Sequence, residues 1–158
     1  MRNDITIDTN VFIFAESDFD CATLILEVYN KKMCVCVDYE YQILGEYQRY
    51  IDEINGISKV FLKHLLSGKC KHIKYITKKL CKNHSDYLIT NGFDKSDIKF
   101  VRAAYHSSSK LLVSNESDFC TVETDRLSPE YIECISTYFK DTLALNVANC
   151  TDAISQIR

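Results

Sequence analysis

The stretch Asp4-Ile5-Thr6-Ile7-Asp8-Thr9-Asn10 stands at the start of the 158-residue chain and decides its fold. Its two isoleucines predict a short buried strand, and the apolar run at 11–14 predicts a helix directly after it. Asp8 therefore lies between two buried elements, where a carboxylate needs a partner to offset its desolvation. Two partners are consistent with the sequence. One is the N-terminus of the following helix, which Asp8 or Thr9 would cap, and the other is a metal ion.

Length and composition predict one globular domain that covers residues 1–158. Hydrophobic residues make up 46% of the chain and charged residues 26%, as in ordinary globular proteins. Four glycines and one proline predict mostly helix with short loops. No apolar run approaches the ~20 residues of a membrane span, and the first residues lack the apolar core of a signal peptide. We therefore expect a cytoplasmic protein without a membrane partner.

The eight cysteines are expected to be reduced and to pack as small apolar side chains, because no export signal is seen. The pairs Cys70-x-His72 and Cys81-x-x-His84 raise zinc as an alternative. Their spacing is loose and both lie in a lysine-rich segment, which disfavours a zinc site.

The charge pattern is one-sided in the middle of the chain although the net charge is only −3. From residue 59 to residue 84 there are eight lysines and no acid. We expect a lysine-rich helical segment at about 57–88. It is either a solvated face or a surface that follows a phosphate backbone, with Tyr75 or Tyr87 available to stack on bases. The candidate nucleic-acid contacts are Lys71, Lys74, Lys78, Lys79 and Lys82.

The order of elements predicts an α/β fold, a three-layer sandwich whose central, mostly parallel sheet of four to five strands is flanked by helices. Further strands are predicted at 33–37, 110–114 and 143–147. Helices are predicted at 21–29, 38–54 with Asp38 as N-cap, 58–66, after Asp94, from Pro129 to about 140, and at 151–157. In such sheets ligands bind at the carboxyl ends of the strands, which is where Asp8 falls.

Further acids occupy positions where a free carboxylate is costly. Glu46 borders the apolar stripe of its helix, Asp97 heads the buried face of another, and Glu116 and Asp118 follow a strand end. Each has a simpler interpretation. Glu46 would then point outward, Asp97 would be a first-turn acid beside an Asp94 cap, and Asp118 would cap a turn. Oxygen ligands without His or Cys favour Mg²⁺ or Mn²⁺ over zinc.

Four segments together resemble the PIN-domain ribonucleases, and they occur in that family's order. They are Ile5-Thr6-Ile7-Asp8-Thr9-Asn10-Val11-Phe12, Leu44-Gly45-Glu46-Tyr47, Asp97-x-x-Phe100-Val101-x-Ala103-Ala104 and Leu112-Val113-Ser114-Asn115-Glu116-Ser117-Asp118-Phe119. The chain departs from the pattern in two places. Glu116 stands where the family usually has Asp, and Ser114 where it usually has Thr.

The resemblance implies a metal-dependent endoribonuclease with Mg²⁺ or Mn²⁺ as cofactor. Its catalytic residues would be Asp8, Glu46, Asp97 and Asp118, with Glu116 as a further metal ligand and Thr9, Asn10 and Ser114 as positioning residues. The expected partners are RNA and, for the toxin of a toxin–antitoxin pair, a cognate antitoxin; a homodimer stays open. The alternatives are a defence or RNA-processing nuclease and a weak or inactive PIN-like module that binds RNA or protein.

Overall fold

The computed structural model describes residues 3–158. Within them the chain forms one sheet of five parallel strands, in the order β3-β2-β1-β4-β5. The strands are β1 (Asp4–Ile7), β2 (Cys34–Asp38), β3 (Ile73–Ile76), β4 (Leu111–Val113) and β5 (Asn146–Ala148). The predicted α/β class and three-layer architecture are confirmed.

Eight α-helices connect and cover these strands in the described part of the chain. They are α1 (Thr9–Phe14), α2 (Phe19–Asn30), α3 (Gln42–Tyr50), α4 (Gly56–Leu66), α5 (Lys82–Thr90), α6 (Ile98–Tyr105), α7 (Pro129–Thr137) and α8 (Cys150–Ile157). A 3-10 turn precedes α6 at Lys95–Asp97, and a second follows β4 at Ser117–Phe119. None of these helices is long and apolar enough to cross a bilayer.

Burial explains why the central strands form where the sequence places them. Every residue of β1 and β4 is buried, because both strands have neighbours on each side and helices above and below. In register, Thr6 pairs with Leu112 and Ile7 with Val113. Strands covered on both faces tolerate continuous apolar runs, and this is the pattern that predicted them.

The chain winds in two directions from β1, which fixes the position of the site. From β1 it passes outward to β2 and β3, and then it crosses back over the sheet to β4 and β5. Because parallel crossovers are right-handed, the connections of the two halves lie on opposite faces of the sheet. The carboxyl ends of β1 and β4 therefore border a crevice at the point where the winding reverses, which is the usual ligand site of such sheets.

Two predictions about the middle of the chain were wrong. The segment 57–88 is not continuously helical, because Ile73–Ile76 forms β3 at the edge of the sheet, where lysines are well tolerated. The predicted helix 38–54 begins only at Gln42, since Asp38 is the last residue of β2. The Asp38 carboxylate still caps α3, although it precedes the helix by four residues: it accepts from Gln42 N at 2.9 Å and from Ile43 N at 2.7 Å.

The remaining helix starts follow their sequence signals. Ser128 caps α7 by accepting from Tyr131 N at 3.1 Å, with Pro129 at the first helical position, as predicted. Asp94 caps the turn before α6 by accepting from Ser96 N at 2.8 Å. Strand β5 begins at Asn146, later than the predicted residue 143, because residues 138–142 still belong to a helical turn.

Candidate active site

Asp8 lies at the crevice between β1 and β4, with 4% of its surface exposed. Two donors contact its Oδ2 atom: Ser114 Oγ from the end of β4 at 2.8 Å and Asn10 Nδ2 at 2.5 Å. Asp8 occupies the N-cap position of α1, but its side chain makes no capping hydrogen bond, so the interpretation of Asp8 as a helix cap was wrong. Among residues 3–158 the carboxylate has no ion pair.

Three further carboxylates act on Asp8 from different elements. Burial is the largest cause that raises the pKa of Asp8 to about 8; the Ser114 hydrogen bond opposes it, and the charges of Asp97, Glu116 and Glu46 add to it. A carboxylate that is buried among other carboxylates favours its neutral form unless a cation is present. The four acids thus form one electrostatic unit at the crevice.

The pKa values of two other acids in this unit, Asp97 and Glu116, are also raised. Burial, together with Asp94 and Glu116, raises the pKa of Asp97 to about 7, although Lys99 opposes the shift. Burial also raises the pKa of Glu116, and the hydrogen bond from Asn10 opposes it. The simpler interpretation also holds, because Asp94 caps the 3-10 turn before α6 and Asp97 is the acid in that first turn, although the Asp97 side chain makes no capping bond to α6.

Glu46 points into the site from α3, so the interpretation of an outward-facing side chain was wrong. Its side chain is 16% exposed, and it accepts hydrogen bonds from the Thr9 hydroxyl and from Lys99 Nζ, the latter at 3.4 Å. Lys99 is itself largely buried and also donates to Ser96 O at 2.5 Å. Sequence reasoning missed Lys99; its only signal is that it follows Asp97 by two residues.

Asp118 is placed differently from Glu116. It lines a neighbouring cavity, together with Asp94, Arg126 and Tyr131. Its backbone carbonyl accepts from the Tyr131 hydroxyl at 2.8 Å, which fixes the turn. Glu116, in contrast, is one of the charges that raise the pKa of Asp8. Of the two acids after β4, Glu116 is therefore the one in electrostatic contact with Asp8.

Asn115 links the elements behind the acids. Its backbone N–H donates to Asn10 Oδ1 at 3.2 Å, and its side-chain oxygen accepts from Cys150 N at 2.8 Å. Its amide nitrogen lies 3.2 Å from Cys21 Sγ and 3.4 Å from Asp18 Oδ2. Asn115 thereby joins the loop after β4 to α1, α2 and α8, and it holds the residue that orients Asp8.

The lysines proposed for nucleic-acid contact separate into two groups. Lys74 pairs with Asp4 at 2.6 Å and with Ser108 Oγ at 2.8 Å, near the amino end of β1, and Lys71 precedes β3. Lys78, Lys79 and Lys82 are exposed and follow β3. They therefore lie at the carboxyl ends of the strands, as Asp8 does. Only this second group lies on the side of the acids.

Arg102 fixes the loop that carries Lys78 and Lys79. It donates to Glu40 at 2.8 Å and 3.3 Å, and to the carbonyls of Lys78 at 2.7 Å and Thr77 at 3.3 Å. The carbonyls are thus held inward while the lysine side chains stay exposed. This arginine was not predicted, because its partners lie on loops far away in sequence.

A groove beside Glu46 adds residues that the sequence did not single out. It is lined by Tyr41, Gln42, Gly45, Glu46, Arg49 and Lys99. The Tyr41 ring is 60% exposed and lies at an angle to Tyr75, with ring centres 6.1 Å apart. Arg49 lies 3.7 Å from Glu46 and is mostly exposed. The predicted stacking residue Tyr87 instead packs face to face on Tyr138, with ring centres 4.0 Å apart.

The donor chemistry of the site fits a hard divalent cation. All four acids supply oxygen, and no donor among residues 3–158 contacts the second oxygen of Asp8, Oδ1. No three His, Cys, Asp or Glu side chains in that range are close enough to form a ready-made metal site. Mg²⁺ binds through one or two carboxylates and keeps several waters, so a closed cage is not required.

The two Cys-His pairs weighed for zinc contact different parts of the protein. Cys70 and His72 line a cavity with Tyr29 and His64, whereas His84 Nδ1 lies 2.7 Å from the Tyr138 hydroxyl. The zinc alternative therefore has no support in the described residues.

Comparisons with protein-family models, with curated proteins and with solved structures found no match.

Proposed function

We propose that the protein is a Mg²⁺- or Mn²⁺-dependent endoribonuclease of PIN-like architecture. One observation carries the proposal: a buried carboxylate, Asp8, lies at the switch point of a parallel sheet, among three other acids and without an ion-pair partner in the described part of the chain. Burying such a carboxylate in its charged form costs several kcal/mol unless a cation binds, and a strongly perturbed acid in a crevice is therefore a candidate functional residue. The sequence resemblance to PIN domains supports the same assignment.

The residues of the chain have distinct roles in this proposal. Asp8, together with Asp97 or Glu116, would hold the cation, which would supply a Lewis acid for the phosphate and lower the pKa of a bound water. Asn10 and Ser114 orient Asp8 through Oδ2 and leave Oδ1 for the cation. Glu46, held by Thr9 and Lys99, accepts the proton of the attacking water. Asp118 is not given a ligand role.

The groove beside Glu46 supports a single-stranded nucleic acid as substrate. Arg49 and Lys99 supply positive charge directly next to the acids, and the exposed Tyr41 ring offers a face on which a base can stack. Lys78 and Lys79 add positive charge at the carboxyl ends of the same parallel strands. Salt-dependent binding follows from these contacts, because phosphate neutralisation releases counterions.

The biological setting we propose is the toxin of a toxin–antitoxin pair, whose antitoxin covers the acidic crevice. A defence or RNA-processing nuclease is the other setting for the same chemistry. Expression of the wild-type chain and of Asp8→Asn in the same host distinguishes toxicity caused by cleavage from a growth defect caused by overexpression alone. Growth arrest by the wild type alone supports the toxin.

A second candidate function is binding of RNA without cleavage. It is favoured by the absence of a ready-made cluster of three ligand side chains within residues 3–158, and by the Lys99 amine that already neutralises part of the charge on Glu46. In this case Asp8 would be a remnant of a nuclease site.

The deciding experiment is cleavage of labelled single-stranded RNA with Mn²⁺, with Mg²⁺ and with a chelator. We expect metal-dependent cleavage by the wild type and by Asp52→Asn, which changes an exposed acid outside the site. Asp8→Asn and Glu116→Gln should lose at least about 100-fold in rate, whereas Asp118→Asn should retain most of it. Equal RNA binding by all variants and no cleavage by any would establish the second candidate instead.

Metal binding provides a readout that does not depend on activity. Titration of the wild type with Mn²⁺, followed calorimetrically, should show binding that Asp8→Asn weakens and Asp52→Asn does not. If both variants bind Mn²⁺ like the wild type, Asp8 is not a ligand.

A further inference from the structure

Two cysteines that are distant in sequence meet in the core. Cys21 lies in the first turn of α2 and Cys150 begins α8, and their sulfurs are 2.9 Å apart. Both residues are completely buried. All eight cysteines fall within residues 3–158, and in that range no other pair has its sulfur atoms in hydrogen-bonding contact.

Asn115 fixes the relative position of the two cysteines. Its amide nitrogen lies 3.2 Å from Cys21 Sγ, and its side-chain oxygen accepts from Cys150 N at 2.8 Å. One side chain thus holds the sulfur of one partner and the backbone of the other. Hydrogen bonds of Asn115, and not packing alone, therefore fix the position of the pair.

We propose that Cys21 and Cys150 are a site of reversible disulfide formation that locks α8 onto α2. The S–S bond of a disulfide is about 2.05 Å long, so the two sulfurs must approach by only about 0.9 Å. The proposal is independent of the proposed nuclease function.

The oxidant we propose is a small-molecule disulfide, and the chemistry is thiol–disulfide exchange. One cysteine thiolate attacks the small disulfide, forming a mixed disulfide and releasing one small thiolate. The second cysteine thiolate then attacks the protein sulfur of the mixed disulfide and releases the other. Two protein thiols are oxidised, one small disulfide is reduced to two thiols, and the two protons pass to the released sulfurs.

Access to the thiols requires α8 to detach. While α8 is packed on α2, the hydrogen bond with Cys21 and burial raise the pKa of Cys150, so its thiol is a poor nucleophile. Helix α8 packs directly against α2. Local opening of one helix costs less than global unfolding, and it exposes both thiols in one step.

The bond closes a loop of 129 residues and restricts the unfolded chain accordingly. In the chain-entropy model a loop of this length gives one of the larger disulfide effects, and we expect the Tm to rise by about 5–15 °C. Among residues 3–158 the other cysteines lack a partner sulfur, so none of them should form a disulfide within the chain, whereas the exposed Cys81 can form a mixed disulfide with glutathione.

The experiment incubates the folded wild-type protein with oxidised glutathione and digests it under non-reducing conditions. We expect a peptide that links Cys21 to Cys150, the loss of these two thiols in the peptide map, and the higher Tm. Cys134→Ser, which alters a half-buried cysteine elsewhere, should behave like the wild type.

Cys21→Ser and Cys150→Ser should lose both the linked peptide and the rise in Tm. The peptide map of the wild type decides the question even if one of these variants does not fold. Retention of all eight thiols, a link between other cysteines, or glutathione bound to Cys21 or Cys150 without an internal bond would overturn the proposal.

Discussion

The Ser114 hydroxyl lies 2.8 Å from Asp8 Oδ2 and connects the carboxyl ends of two neighbouring strands, β4 and β1. The same hydroxyl oxygen accepts from Asn10 Nδ2 at 3.2 Å and from Glu116 N at 3.0 Å. One small side chain therefore organises an acid, its amide partner and the start of the loop that carries Glu116.

Replacing Ser114 with Ala should destabilise the protein by about 1–2 kcal/mol, because buried donors and acceptors lose their partner. It should also raise the pKa of Asp8, since the Ser114 hydrogen bond lowers it. Urea denaturation measures the first effect, and carbon-13 NMR of the Asp8 carboxyl group measures the second. Ser155→Ala, on the exposed face of α8, is the control and should change neither. An unchanged Asp8 titration would show that the hydrogen bond does not act on the charge.

Asp8→Asn should stabilise the metal-free protein at high pH. Because the folded pKa of about 8 exceeds the ordinary 3.8, the folded state binds the proton more tightly, and stability falls as pH rises from about 4 to about 8. At pH 9 the asparagine variant should be more stable by roughly 2–4 kcal/mol, with little difference near pH 4. Urea denaturation in a chelator, at both pH values, measures this. A variant less stable than the wild type at pH 9 would contradict the prediction.

Arg102→Ala should release the loop that follows β3. The variant loses the ion pair with Glu40 and the bonds to the carbonyls of Lys78 and Thr77, which should cost about 2 kcal/mol. Hydrogen exchange should increase at residues 77–81, and RNA binding should weaken if Lys78 and Lys79 need a fixed loop. Arg126→Ala changes an exposed arginine and is the matched control. Unaltered exchange in 77–81 would show that other contacts hold the loop.

Asp4→Asn should destabilise the protein at neutral pH. Burial alone would raise the pKa of Asp4, but the bonds from Lys74 and from the amides of Ser108 and Ser109 outweigh it and lower the pKa to about 2. The folded value lies below the ordinary 3.8, so this stabilisation is complete above about pH 4 and is lost as pH falls through about 2. We expect a loss of roughly 2 kcal/mol at pH 7 by urea denaturation. A loss that persists at pH 2 would point to packing instead of charge.

The sequence predicted the central strands because burial on both faces requires apolar runs, and it predicted α7 because Ser128 and Pro129 are strong local signals. It missed β3 because an edge strand accepts lysine and tyrosine, which removes the apolar pattern. Asp8, Glu46 and Asp97 were identifiable because each acid breaks an apolar context. Lys99 and Arg102 were not, since the crossover from β3 to β4 brings them to partners that are distant in sequence, and Asn115 was not, since its partners belong to α1, α2 and α8.

The strand β1 has a buried aspartate at its first residue and another directly after its last, and acid affects the two in opposite ways. A carboxylate stays charged when hydrogen-bond donors and a cation surround it, and Asp4 has three donors, one of which is the Lys74 ammonium group. Within residues 3–158 Asp8 has two donors and no cation, and its raised pKa of about 8 favours the neutral form in the metal-free protein. Rising pH therefore reduces the stability that the protein gains at the crevice end of the strand, and strong acid reduces the stability that it gains at the opposite end.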